Sequence, residues 1–150
     1  MPQSLANLQI HLVFSTKNRE PFIRDEIRDA LHAYMATVLA DRCCLPALIN
    51  SVCDHVHILF RLPRTAAVCD IVEDVKRHSS RWMKTQGAEF ASFAWQGGYS
   101  VFSVSPRMVE RTRTYIMSQS EHHRNKSFQE EYRNLLEAHG IAYDERYVWD

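Results

Sequence analysis

The chain has 150 residues, enough for one domain with a real core, and its 45 % hydrophobic and 24 % charged content with only 4 glycines excludes disordered and low-complexity classes. Lys plus Arg and Asp plus Glu number 18 each, so net charge alone does not hold this protein on a nucleic acid. No apolar run reaches the length of a membrane span, and Met1-Pro2-Gln3-Ser4 lacks the charged and apolar regions of a signal peptide, so the cytoplasm is the expected compartment.

In chain order, Leu8, Ile10, Leu12 and Phe14 alternate with Gln9, His11 and Val13, the pattern of a strand with one face on a core. After the polar stretch from Ser15 to Arg19, Ile23, Ile27, Leu31, Tyr34, Met35 and Val38 recur at helical spacing. Leu45 to Cys53 and His55 to Leu62 are apolar runs separated by Asp54, a two-stranded meander closed by Pro63. From Thr65, the stripe Val68, Ile71, Val72, Val75, Ser79 and Trp82 predicts a second helix to about Thr85. Trp95-Gln96-Gly97-Gly98-Tyr99 marks a bend into a fourth strand, Ser100 to Val104. Ser105-Pro106 offers a cap and a first-turn proline for a third helix over about 106–121. Arg124-Asn125-Lys126 separates it from a fourth over about 128–139, stopped by Gly140.

The order β-α-β-β-α-β followed by two helices predicts an α+β, ferredoxin-like (RRM-like) antiparallel sheet in a single domain spanning 1–150. Helices one and two cover one sheet face in this reading, and the other face is left free for a site.

Charge is segregated along this framework. Lys76, Arg77, Arg81 and Lys84 occur between Val75 and Gln86 without an acid, whereas Glu130, Glu131, Glu137, Asp144, Glu145 and Asp150 face only Arg133 and Arg146 after Phe128. Arg77, Arg81 and Lys84 fall opposite the apolar stripe of the second helix, on a solvated face, while Lys76 lies nearer its boundary, within reach of a substrate. Cys43, Cys44, Cys53 and Cys69 form no C-x-x-C pair and read as free, space-filling thiols. Cys53 precedes His55 by two residues, but no second thiol at ligand spacing supports a zinc site.

The chemistry-bearing motifs are His55-Val56-His57 and Tyr115-Ile116-Met117-Ser118-Gln119. Residues i and i+2 of a strand share a face, so His55 and His57 lie opposite Val56, Ile58 and Phe60, and His11 joins them if the first strand is the neighbour. Eight histidines make roughly 0.4 such triplets expected by chance, so context must carry the argument. Tyr115 and Gln119 stack one helical turn apart, with Met108, Thr112 and Ile116 on the same face. Taken alone, histidines lining a half-exposed sheet and a tyrosine with a wet hydroxyl in an apolar stripe are the plainer readings. Adjacent helical residues diverge by about 100°, so His122-His123 is expected to face solvent rather than form a metal pair.

Together with Val75-Lys76-Arg77-His78-Ser79-Ser80-Arg81-Trp82, the run Gln96 to Ser105, the segment Ser120-Glu121-His122-His123 and the ending Tyr143-Asp144-Glu145-Arg146-Tyr147, these motifs resemble the single-tyrosine HUH transposases of the insertion sequence 200/605 type. The likeness runs from about His11 to the end of the chain. It implies that His55, His57 and Gln119 are metal ligands and that Tyr115 is the nucleophile. Ser118 departs from the Asn expected before the Gln, off the tyrosine face. Lys76, Arg77 and Arg81 are then candidate DNA contacts.

The resemblance further implies bacterial or archaeal DNA strand cleavage and transfer. A 5′-phosphotyrosine intermediate, single-stranded DNA with a hairpin at element ends, and a homodimer whose active sites are shared between chains all follow from it. It implies Mg²⁺ or Mn²⁺, although imidazole ligands by themselves suit a softer ion such as zinc better. Two histidines and an amide are neutral, so the ion keeps its charge for the scissile phosphate. A domesticated relative that nicks single-stranded DNA in a host role is the closer alternative. A non-catalytic RNA-binding module is the other, disfavoured because Gln9 to Phe14 lacks paired exposed aromatics.

Overall fold

The computed structural model describes residues 2–150. Four strands, β1 (Leu8–Ser15), β2 (Ala47–Ser51), β3 (His55–Leu62) and β4 (Ser100–Val104), form one antiparallel sheet in the order β2-β3-β1-β4. Helices α1 (Asp25–Asp41) and α2 (Val68–Lys84) complete the β-α-β-β-α-β order, so the architecture is the α+β, ferredoxin-like one expected.

Period-two alternation explains the two faces. Leu12 and Phe14 of β1 and Val56, Ile58 and Phe60 of β3 meet Leu31, Met35 and Leu39 of α1 and Ile71, Val72, Val75 and Met83 of α2 in the main core. Phe90, Phe93 and Trp95 close its end, and Trp95 Nε1 donates to Ser79 Oγ at 2.9 Å. No helix among the described residues is long and apolar enough to cross a membrane.

The opposite sheet face is not free, contrary to the sequence expectation. It is covered by α3 (Val109–Met117), α4 (Gln119–His122) and α5 (Phe128–Ala138), with Val13 and Phe102 of the sheet buried against Phe128, Tyr132 and Leu136 of α5. The apolar stripe of α5 needs a partner, and this sheet face supplies it.

Several boundaries also move. β2 begins at Ala47 and ends at Ser51 instead of running from Leu45 to Cys53, and α2 begins at Val68 because Pro63 and Ala66 are taken into a turn (Ala66 N to Pro63 O, 3.1 Å). The single helix expected over 106–121 is broken. Pro106–Met108 forms a 3₁₀ turn in which Ser105 supplies a backbone carbonyl to Met108 N but no side-chain cap. α3 then ends at Met117, followed by Ser118, whose backbone leaves the helical region and whose hydroxyl donates back to the Thr114 carbonyl at 2.7 Å, and α4 starts at Gln119. α5 is capped by Ser127 in a reciprocal box with Glu130 and stops before Gly140, which adopts φ +67°.

Candidate active site

The register of β1 and β3 builds the polar floor of the site. Pairing of Val13 with His57 and of Ser15 with His55 puts both histidines on the α5 side of the sheet, and His11, paired with Leu59 and Phe102, shares that face. His55 and His57 are fully buried and His11 is 4 % exposed. His55 Nδ1 donates to Asp54 Oδ1 at 2.7 Å, and His57 Nδ1 is 2.8 Å from His11 Nε2. Each ring is therefore oriented through Nδ1, which leaves both Nε2 atoms aimed at one point.

That point is held by Glu131 of α5. Its Oε1 lies 2.9 Å from His57 Nε2, 3.2 Å from His55 Nε2 and 3.2 Å from His123 Nε2, while Oε2 accepts from the Tyr115 hydroxyl. Gln119 is fully buried with Oε1 3.3 Å from His55 Nε2 and 3.1 Å from His123 Nε2. The Tyr115 ring stands edge-on to His57, with centroids 5.7 Å apart.

Of the residues singled out in sequence, the fold thus gathers Tyr115, His55, His57 and Gln119, with His11 behind His57. It does not bring Lys76, Arg77 or Arg81 to them, because α2 lies across the sheet. The Lys76 ammonium donates to the carbonyls of Gln96 (2.6 Å), Gly97 (3.2 Å) and Gly98 (2.9 Å), and burial draws its pKa down to about 8. Arg77 pairs with Glu73 and Asp74, and Arg81 is exposed on the same helix.

Glu131 was not singled out in sequence as a functional residue, and His123 was expected in solvent. His123, just past α4 and four residues after Gln119, turns inward to the Gln119 side chain, while His122 stays exposed beside the Tyr115 ring, 5.0 Å between centroids. The inward residue is only 12 % exposed at its side chain.

Electrostatics separate these groups. Burial, reinforced by His57, holds the His11 pKa down to about 3, and burial also lowers that of His57. Burial opposes charge on His55, but the Asp54 and Glu131 carboxylates outweigh it and raise its pKa. Burial likewise opposes charge on Glu131, yet the hydrogen bonds from His123, His55 and His57 outweigh it and hold the carboxyl far below its ordinary range. Burial and then the Glu131 charge push the Tyr115 phenol upward. Without added positive charge, this tyrosine is a weaker nucleophile than a free one.

The donor set suits a divalent cation. His55, His57 and Glu131 offer three ligand atoms within 4.8 Å of one another, the one such group found among the described residues. Donors held about 2.1 Å from an ion on adjacent octahedral vertices stand about 3 Å apart, which matches the 2.9 to 3.3 Å separations among the His55, His57, Glu131 and Gln119 atoms.

A family model described as "Transposase IS200 like" matches residues 4–119. The "ISDra2 transposase TnpA" of Deinococcus radiodurans is 26 % identical over 117 residues, which span 75 % of this chain and 84 % of that protein. A candidate transposase from D. radiodurans R1 superposes with a TM-score of 0.60 at 22 % identity, covering 79 % of this chain and 98 % of that one. A REP-associated tyrosine transposase, solved bound to a REP hairpin, superposes with a TM-score of 0.57 at 14 % identity over 82 % of this chain and 72 % of that one.

Proposed function

Because the chain belongs to the IS200-like transposases, we propose that it cleaves and rejoins single-stranded DNA through a covalent link to Tyr115. The carrying observation is the convergence of the Tyr115 hydroxyl and both histidine Nε2 atoms on one buried carboxylate. His55, His57 and Glu131, with Gln119 beside them, are the proposed holders of Mg²⁺ or Mn²⁺. A bound divalent cation supplies positive charge that polarises the scissile phosphate and fixes in-line geometry.

The rest of the step belongs to the chain. Glu131 Oε2 holds the phenol proton and orients the oxygen, and Asp54 and His11 keep the two metal-facing imidazoles from turning. As the phenol proton passes to Glu131 Oε2, attack forms the bond from the tyrosine oxygen to phosphorus and breaks the bond from phosphorus to O3′. The departing oxygen takes up a proton and leaves as a 3′ hydroxyl. The phosphodiester energy is retained in the phosphotyrosine, so a 3′ hydroxyl can later reverse the link without a nucleotide cofactor.

DNA with a hairpin at the element ends is the proposed substrate, supported by the hairpin bound to the REP-associated neighbour. Tyr115 stands next to the histidines of its own chain, so the geometry favours cleavage in cis over a site shared between protomers.

The experiment is adduct formation on single-stranded oligonucleotides carrying the flanking DNA of the element. The wild type is expected to give a protein–DNA band that is lost in EDTA, restored by Mg²⁺ or Mn²⁺, and absent from Tyr115→Phe. An undiminished band in Tyr115→Phe moves the chemistry to another residue, with Tyr99 and Tyr132 next in line. Full activity in EDTA refutes the metal role.

A further inference from the structure

Next to the tyrosine, a cavity of about 470 Å³ opens between β4, α3 and α5. We propose that it is a nucleobase pocket that takes one of the two nucleotides flanking the phosphate attacked by Tyr115, an inference that rests on the reading above.

Four observations carry it. The volume lies within the range of about 300–1,000 Å³ typical of small-ligand sites, and Tyr115 and His11 form part of the wall, so a base lodged there lies against the proposed nucleophilic residue. The walls fit a flat aromatic guest, because Phe102, Val104 and Leu135 are apolar and the His139 ring already stacks on Phe102 at 4.3 Å. Polar groups for a base edge are also present. His139 Nδ1 donates to the Leu135 carbonyl at 2.9 Å, which leaves Nε2 as a free acceptor, and β4 is a sheet edge whose outward peptide groups have no strand partner.

The fourth observation is the position of Arg111. It lines this cavity and a second one of about 610 Å³ that Tyr115 also lines, and it makes no ion pair among the described residues, whereas Arg113 pairs with Glu110. A strand passing from one cavity to the other runs past Tyr115 with Arg111 as the cation common to both, while Glu110 and Glu121 of the second cavity steer its phosphates toward the Arg111 side. The chain has no net charge to hold DNA as a whole, so stacking in this cavity and the Arg111 cation beside it would add local affinity for the reacting nucleotide.

The test separates binding from cleavage. Single-stranded pentanucleotides, each with 2-aminopurine at one position, are titrated into the Tyr115→Phe protein, and fluorescence quenching reports the stacked base. Quenching is expected at one position only. His139→Ala, an exposed and structurally mild change, should weaken that binding about tenfold, within the range of alanine substitutions at stacking platforms. Thr112→Trp, which fills the cavity from α3, should abolish it. Arg111→Ala should weaken binding at every position alike.

Quenching that is uniform along the oligonucleotide, or unchanged in both His139→Ala and Thr112→Trp, identifies the cavity as a packing gap and overturns the inference. Failure of the parent reading shows elsewhere, as a wild-type protein that forms no adduct.

Discussion

Replacing Glu131 by alanine tests the centre of the site without DNA. The carboxylate is 3 % exposed and receives His57 Nε2 at 2.9 Å and the Tyr115 hydroxyl. Its removal strands both donors in a buried place, and each orphaned donor costs about 1–3 kcal/mol, giving about 2–6 kcal/mol in total. His55 and His123 lose less, because Gln119 Oε1 remains at 3.3 and 3.1 Å. For a chain of this size each kcal/mol moves the melting temperature by about 2–4 °C, so Glu131→Ala should melt at least about 4 °C below wild type in EDTA. Glu131→Gln keeps the shape and one acceptor and should lose about half as much. With Mn²⁺ at a hundred times its dissociation constant, wild type should gain about 2.7 kcal/mol, while both variants require more metal for the same shift. If Glu131→Ala unfolds within about 0.5 kcal/mol of wild type in EDTA and shows an equal Mn²⁺ shift, the carboxylate neither supports the fold nor holds the ion.

Mixing His55→Ala and Tyr115→Phe chains, each inactive alone, discriminates cis from trans chemistry. Attack in cis predicts no adduct after proven subunit exchange, and recovery of roughly a quarter of the wild-type sites would establish trans assembly. His32, whose Nε2 lies 2.7 Å from Ser51 Oγ, is held by burial at a pKa of about 4 against 6.5 in the unfolded chain. Between those values the unfolded chain binds the extra proton, so stability falls as pH drops through the window, by less than about 1.4 kcal/mol per unit because the ring is partly wet. His32→Gln should flatten that part of a pH series of chemical denaturations, and an unchanged slope would assign the effect to other groups.

The elements that follow simple periodicity were legible: β3 at His55–Leu62 and β4 at Ser100–Val104 stand where alternation put them. Strand period also put His55 and His57 on one face, whereas the meeting of that pair with Tyr115 and Gln119 followed only from the family resemblance, since periodicity within an element does not say what packs against it. Glu131 escaped because it sits on a separate helix with no local motif. Its signal was present as an anomaly: Phe128, Glu131, Tyr132 and Leu136 share the buried stripe of α5, and a carboxylate on a core stripe demands partners. His123 escaped because His122-His123 was weighed as a pair, although its spacing of four from Gln119 already put it on the Gln119 side. The covering of the second sheet face was missed for a related reason, since the stripe of α5 shows that it packs but not on what.

The alternation of His55 and His57 with Val56, Ile58 and Phe60 makes the site a check on folding fidelity. Shifting β3 by one residue against β1 would carry two imidazoles into the greasy layer under α1 and α2 and press three apolar side chains against Glu131. Both displacements are penalised by desolvation, so the misaligned sheet has nowhere to hide its error. A polypeptide that completes this sheet has therefore already aligned His55 and His57 toward Glu131.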